Sequence, residues 1–205
     1  MKRAAIGVRM HSGWGALVAV CFDGGKVEII ERRRIEVIDG ASAGAKQPYH
    51  FAKDLEISRA SKFIEGCFAN SCGLAAAVLR DLLAELSVRK YRVKGAAVVL
   101  ASGRELPPLA KILAAHPLLH TAEGQFFREV FVKACESCGL PVVGIRERDI
   151  EDSLLRKFGV AAPRIRRQVA GMGKVIGSPW TADQKLATVA GLLALYPCGA
   201  AVRLN

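Results

Sequence analysis

The sequence has no apolar run long enough to cross a membrane. Its longest apolar stretches, residues 13–22 and 191–202, are either short or interrupted by proline, whereas a spanning helix needs about 20 apolar residues. Residues 1–5 lead straight into a strand-like run and lack the long apolar segment of a secretory signal. We therefore expect a cytoplasmic protein with no membrane partner.

Metal-binding and nucleotide-binding signatures are also scarce. Cys135 and Cys138 have a zinc-like spacing, but neither a second such pair nor a finger-spaced histidine pair accompanies them. Without an export signal, the six cysteines are expected to be reduced, and apolar packing explains them better than metal binding does. The Gly-x-x-x-x-Gly-Lys-Ser/Thr phosphate-binding pattern does not occur. We expect no cofactor, and a divalent metal is not expected.

What is present is a core-forming and strongly basic composition. Of the 205 residues, 51% are hydrophobic and 24% are charged, which suffices for one folded α/β domain spanning residues 1–205. Thirty Lys and Arg against nineteen Asp and Glu give a net charge of +11, a balance that attracts phosphate polymers or acidic partners. The excess of basic over acidic residues is concentrated in residues 153–182, which contain six basic residues and no acidic residue. A second basic cluster, residues 32–34, lies in an expected strand.

Hydrophobic periodicity predicts the element order β-β-β-α-β-α-β-α. Three strands with tight connections come first, and Asp23-Gly24-Gly25 favours a hairpin turn because both glycines accept positive φ. Leu74, Val78 and Leu82 have helical spacing. The predicted strands are 3–10, 14–22, 26–38, 95–101 and 140–145. The predicted helices are 51–86, with a break near residues 71–73, then 107–115, 121–138, 150–158 and 181–195.

This order resembles the ribonuclease H-like fold, in which a mixed five-stranded sheet is flanked by helices. The sheet consists of a three-strand antiparallel meander plus two parallel strands. Residues 6–15, Ile-Gly-Val-Arg-Met-His-Ser-Gly-Trp-Gly, are similar to the first-strand motif of the Holliday-junction-resolvase-like (RuvC-like) branch, where Gly-Ile-Asp-Pro-Gly is followed by Gly-aromatic-Gly. Residues 180–190 are similar to the last helix of that branch, where an Asp, here Asp183, precedes small residues.

The resemblance implies a metal site that this sequence carries only in part. Active members use carboxylates in the first strand, at the end of the fourth strand and in the last helix to hold two divalent cations for phosphoryl transfer. Arg9 stands at the first-strand position, and residues 101–102 stand at the fourth-strand position. Because Mg²⁺ needs several hard oxygen ligands, Asp183 alone does not predict metal-dependent nuclease activity.

Three sets of polar residues are candidates for a functional site. The first set would bind an anion or nucleic acid and consists of Arg9, Arg104, Arg164, Arg166, Arg167, Lys174 and Lys185. The second would serve an enzyme with a rebuilt active site and consists of His120, Glu123 and Asp183. The third would line a pocket and consists of His11, Ser12, Trp14, His116, Arg128 and Trp180. Arg104 follows a predicted strand end, where ligands of open α/β sheets bind, and residues 171–180 form a loop that could cover such a site.

The segment that contains His116 and His120 also has a structural interpretation. Thr121 as a helix N-cap would place Glu123 in a first turn, where a carboxylate is favoured. His116 and His120, four residues apart, would suit a metal only if the helix continued through Pro117.

His11 and Ser12 have no identifiable orienting acid or oxyanion hole, so they are weak evidence for nucleophilic catalysis. The leading expectation is a non-catalytic domain that binds nucleic acid or another polyanion. The alternatives are a metal-assisted hydrolase or nuclease with a rebuilt site, and a protein-interaction module whose charge is only a surface property.

Overall fold

All strands of the computed structural model, which describes residues 1–101 and 105–195, belong to one five-stranded sheet of order β3-β2-β1-β4-β5. The strands are β1 Lys2–His11, β2 Trp14–Asp23, β3 Lys26–Glu36, β4 Tyr91–Leu100 and β5 Val142–Arg146. β1, β2 and β3 pair antiparallel, and β4 and β5 extend the sheet parallel to β1. The predicted mixed sheet is therefore confirmed.

Helices cover both faces of this sheet. They are α1 Pro48–Ala52, α2 Ile57–Val88, α3 Leu109–Leu113, α4 His116–Ser137, α5 Ile150–Phe158, α6 Ala162–Gly171, α7 Gly173–Ile176 and α8 Ala182–Ala194. Single 3-10 turns, Glu147–Asp149 and Gly159–Ala161, precede α5 and α6. Among the described helices, none combines the length and the apolar character that a membrane-spanning segment requires.

The alternation of side chains along β1 separates two cores. Ile6 and Val8 pack with α2 and α4 on one face, whereas Ala5 belongs to the core that α5, α6 and α8 form on the other. Because side chains alternate with a period of two, Gly7 and Arg9 share the α8 face with Ala5.

Gly7 lets the backbone of α8 approach β1 directly. A Cβ atom at Gly7 would lie 1.7 Å from the carbonyl oxygen of Ala187, and one at Gly191 would lie 3.0 Å from the backbone nitrogen of Gly7. This close contact sets the position of α8. As a result, Asp183, in the first turn of α8, lies at the end of β1.

Two predictions about helices are wrong. α2 runs without a break through residues 71–73, because its buried stripe, which includes Ala75 and Leu79, outweighs the cost of about 1 kcal/mol for a helical glycine. α4 begins at His116, not at Thr121. Pro117 is tolerated in the first turn, where its missing N–H has no helical acceptor, and the Thr121 hydroxyl donates to the Pro117 carbonyl.

Candidate functional site

Arg9 joins two carboxylates at the carboxyl end of β1. Its Nε lies 3.0 Å from Oδ1 of Asp183, and its Nη1 lies 2.5 Å from Oε2 of Glu147. Glu147 follows β5, so the contacts link the first strand, the last strand and the last helix. Arg9 and Asp183 are each 27% exposed, so solvent screens the cluster only in part.

His11 shares Asp183 with Arg9. Its Nε2 lies 2.9 Å from Oδ2 of Asp183, and the capping box of Thr181 and Gln184 fixes the helix start that presents this carboxylate. Asp183 is thus a carboxylate partner of His11 that lies 172 residues away in the chain. Ser12 lies in the two-residue turn that follows His11.

Trp14 is enclosed on both ring faces. The His11 ring stacks on it with centroids 4.3 Å apart, and the Arg34 guanidinium carbon lies 3.8 Å from the ring centroid. The register aligns Arg9, Ala16 and Arg34 across three neighbouring strands. Since its two faces are taken, Trp14 does not offer a stacking surface for a base.

A second polar cluster forms where α1 meets the start of α4. One ring nitrogen from each of His50, His116 and His120 lies within 4.8 Å of the others, and the Nε2 atoms of His116 and His120 are 3.0 Å apart. The helix does continue through Pro117, which is the condition under which His116 and His120 suit a metal. His50 was not among the sequence candidates, because no local spacing connects α1 to α4.

Glu123 lies behind these histidines and is buried. Its Oε1 accepts hydrogen bonds from the backbone nitrogens of Tyr49 (2.9 Å) and His50 (3.1 Å) and lies 3.3 Å from Nδ1 of His50. Its Oε2 is buried with no hydrogen-bond partner among the described residues. Burial raises the pKa of the Glu123 carboxyl, and the hydrogen bonds from His50 oppose that shift. The structure therefore groups His120 with Glu123 and leaves Asp183 with Arg9.

The predicted anion-binding residues differ in solvent exposure and in whether they form ion pairs. Arg164, Arg167 and Lys174 are exposed on α6 and α7 and form no ion pair with any described residue. Arg166 pairs with Glu151. Lys185 is half-buried on α8, and Arg104 lies outside the described residues.

Arg128 lies on α4 with its guanidinium across Gly124. A Cβ atom at Gly124 would lie 3.1 Å from Nη1 of Arg128, so the space beside this glycine is taken by Arg128. Burial lowers the pKa of Arg128, and the positive charge of Arg9 adds to that shift.

The three arginines of the basic cluster at residues 32–34 all make contacts within the fold. Arg32 donates to the carbonyls of Ile176 (2.9 Å), Gly177 (3.0 Å) and Pro179 (2.5 Å). Arg33 pairs with Glu85 and Glu31, and Arg34 pairs with Glu36. These arginines are structural, and Arg32 fixes the segment before α8 to β3.

Trp180 also has a structural contact. Its Nε1 donates to the Val169 carbonyl at 2.7 Å, and a Cβ atom at Gly173 would meet its side chain at 2.9 Å. Trp180 thereby ties α6 and α7 to the start of α8.

The five cysteines in the described part of the chain are free. Burial raises the pKa of the Cys135 thiol, and it also raises the pKa values of Cys67 and Cys72. Thiols of raised pKa are poor nucleophiles and poor metal ligands at neutral pH. Cys198 lies outside the described residues.

Comparison with solved structures shows the same fold. RuvC of T. thermophilus in complex with Holliday junction substrate is similar over 93% of this chain and 91% of that chain, with a TM-score of 0.53 and 12% sequence identity. A further Thermus thermophilus RuvC structure has a TM-score of 0.51 at the same identity and coverage. No family model matches the sequence, and no curated protein matches it. The fold is therefore ribonuclease H-like, with the α/β architecture of RuvC.

The two divalent cations that this resemblance implies do not fit the end of β1. The carboxylates that contact Arg9 here are Asp183 and Glu147. A guanidinium has donors only and cannot be a metal ligand, while Mg²⁺ needs several oxygens in near-octahedral geometry. Asp183 and Glu147, held by Arg9, thus do not form the ligand set for two-metal phosphoryl transfer.

Proposed function

We propose that this chain is a non-catalytic ribonuclease H-like domain that binds nucleic acid through a basic surface. The observation that carries the proposal is the contact of Arg9 with both Asp183 and Glu147. Unpaired carboxylates at this edge would repel phosphates. Arg9 supplies a permanent positive charge between them, which reduces this repulsion without a bound cation.

The binding surface itself is assigned to Arg164, Arg167 and Lys174, the α6–α7 basic surface. These three side chains are exposed on the layer of the sheet that α8 and Arg9 share. Charges of this kind contact phosphates and give affinity that depends on salt but not on base sequence. The enclosed ring of Trp14 supports the same mode, because base stacking requires a free aromatic face.

The likeness to RuvC supports nucleic acid as the partner, since one of the similar structures is a complex with Holliday junction substrate. A four-way junction therefore belongs among the ligands to be tested. The chain does not carry over the reaction of such an enzyme, because Arg9 holds the carboxylates.

The test is a fluorescence anisotropy titration of labelled duplex, single-stranded and four-way-junction DNA. Three phosphate contacts predict a roughly 40-fold loss of affinity between about 50 mM and about 200 mM salt. The triple variant Arg164→Ala, Arg167→Ala, Lys174→Ala should lose most of this affinity and flatten the salt dependence.

A matched control removes the same charges from α2, on the opposite layer. Arg59, Lys62 and Arg80 are exposed there, and their triple alanine variant should bind as the wild type does. Equal weakening in both variants would show that net charge alone attracts DNA. Absence of binding at low salt would exclude nucleic acid and favour a protein-interaction module.

A manganese-containing reaction analysed on a gel tests the alternative of a rebuilt nuclease. The DNA should remain intact. Cleavage that disappears in Asp183→Asn would contradict the non-catalytic proposal.

A further inference from the structure

We propose that His50, His116 and His120 form a Zn²⁺-binding site at the junction of α1 and α4, with Glu123 positioning His50. This site uses none of the residues of the proposed nucleic-acid surface. Its failure and the failure of that surface are therefore separate outcomes.

The ring nitrogens already lie at nearly the required separations. A tetrahedral zinc with bonds of about 2.0–2.1 Å holds its nitrogen ligands about 3.3 Å apart. His116 and His120 meet this spacing with Nε2 atoms 3.0 Å apart, and all three histidines lie within 4.8 Å.

Glu123 selects the nitrogen that His50 offers. Nδ1 of His50 lies 3.3 Å from Oε1 of Glu123, so the N–H of the neutral ring faces the carboxylate. Nε2 of His50 then carries the free lone pair. A histidine held between a carboxylate and a metal is the usual arrangement behind protein zinc ligands, because it fixes the tautomer and makes the ring a better donor.

The unpartnered Oε2 of Glu123 is an independent sign that a positive charge belongs here. A buried carboxylate is costly unless it is fully hydrogen-bonded or paired with a cation. Glu123 is 3% exposed, and its Oε2 has no partner among the described residues. A zinc ion bound through His50 would supply that charge.

The donor set defines the class of metal. Three imidazoles without thiolates or directly facing carboxylates favour Zn²⁺ or a similar transition metal over Mg²⁺ and Ca²⁺, which prefer oxygen. His116 and His120 are exposed, so the fourth position opens to solvent, as in zinc sites with three protein ligands.

The experiment measures Zn²⁺ binding to the full chain after metal removal, by competition with a chromophoric chelator at neutral pH. One equivalent should bind tightly. His116→Gln and His120→Gln should each lower the affinity by more than the roughly 10- to 100-fold that loss of a partner behind a ligand causes. His11→Gln is the matched control, because His11 is the only histidine outside the cluster.

A second readout separates binding from folding. Zinc should raise the Tm of the wild type and of His11→Gln but not that of His120→Gln, because the ion joins α1 to α4 and binds only the folded chain.

Glu123→Gln tests the positioning role. It should lower zinc affinity roughly 10- to 100-fold while the metal-free variant unfolds cooperatively. An unchanged affinity would overturn that role. Wild-type stoichiometry and affinity in both His116→Gln and His120→Gln would overturn the site.

Discussion

Arg9 and Asp183 face each other across the contact between the first strand and the last helix, with Nε of Arg9 3.0 Å from Oδ1 of Asp183. The same carboxylate accepts His11 through its other oxygen. One carboxylate thus holds two side chains of β1 at the end of the sheet.

A double-mutant cycle should detect the coupling of this pair. Arg9→Gln and Asp183→Asn, singly and together, should give a coupling free energy of about 1 kcal/mol in urea unfolding. The control is the cycle of Lys133→Gln and Glu136→Gln, an ion pair whose side chains are both more than half exposed. Solvent screening should reduce its coupling free energy to about 0.3 kcal/mol. Equal coupling in the two cycles would argue against a partly shielded Arg9–Asp183 pair.

Gly7→Ala should destabilise the protein by about 3 kcal/mol or more, because a methyl group has no space against α8. Gly66→Ala is the control: it lies within α2 with nothing near its Cβ position, and should stabilise by roughly 0.5–1 kcal/mol. Urea midpoints with unchanged slopes measure both effects. A neutral Gly7→Ala would contradict the close packing of α8 on β1.

Arg32→Lys should loosen the segment between α7 and α8. The planar guanidinium donates to three carbonyls, at residues 176, 177 and 179, and a lysine ammonium cannot reproduce this fork. We expect faster amide hydrogen exchange across residues 176–181 and a stability loss of about 1–2 kcal/mol. Arg34→Lys, an exposed change on the same strand, should leave that exchange unchanged.

The stability of the metal-free protein should depend on Glu123 in a defined pH window. Since burial raises the pKa of this carboxyl above 4.5, the folded chain keeps its proton to higher pH than the unfolded chain does. The Glu123 contribution is therefore constant below pH 4.5, falls as pH rises through the raised pKa, and is constant again above it.

Glu123→Gln lacks this titration and serves as the reference. Urea unfolding with a chelator present, from pH 4 to pH 8, should show the wild type losing stability relative to the variant as pH rises. A difference between the two proteins that stays flat with pH would contradict the raised pKa.

The nucleic-acid surface can be recognised from the sequence, whereas the metal site cannot. Arg164, Arg167 and Lys174 stand out from sequence because they lie in a stretch without acids. The zinc site does not stand out, because His50 belongs to a separate helix. In addition, local sequence rules predict that Pro117 interrupts the helix between His116 and His120.

The sequence by itself determined the order of the five strands and the main helices, the Gly24-Gly25 hairpin and the Thr181 cap. These depend on side-chain periodicity and on backbone preferences of neighbouring residues, which are local. Both hairpin glycines do have positive φ, and Thr181 does form a capping box.

Only the tertiary structure decided which charges are free. It paired Arg9 with Glu147, used Arg32 on backbone carbonyls, enclosed Trp14 between His11 and Arg34, and brought His50 to α4. Except for the His11–Trp14 stacking, these contacts join segments that are far apart in the chain. Their meeting is set by strand order and by the close packing of helices on the sheet, which no local pattern of residues encodes.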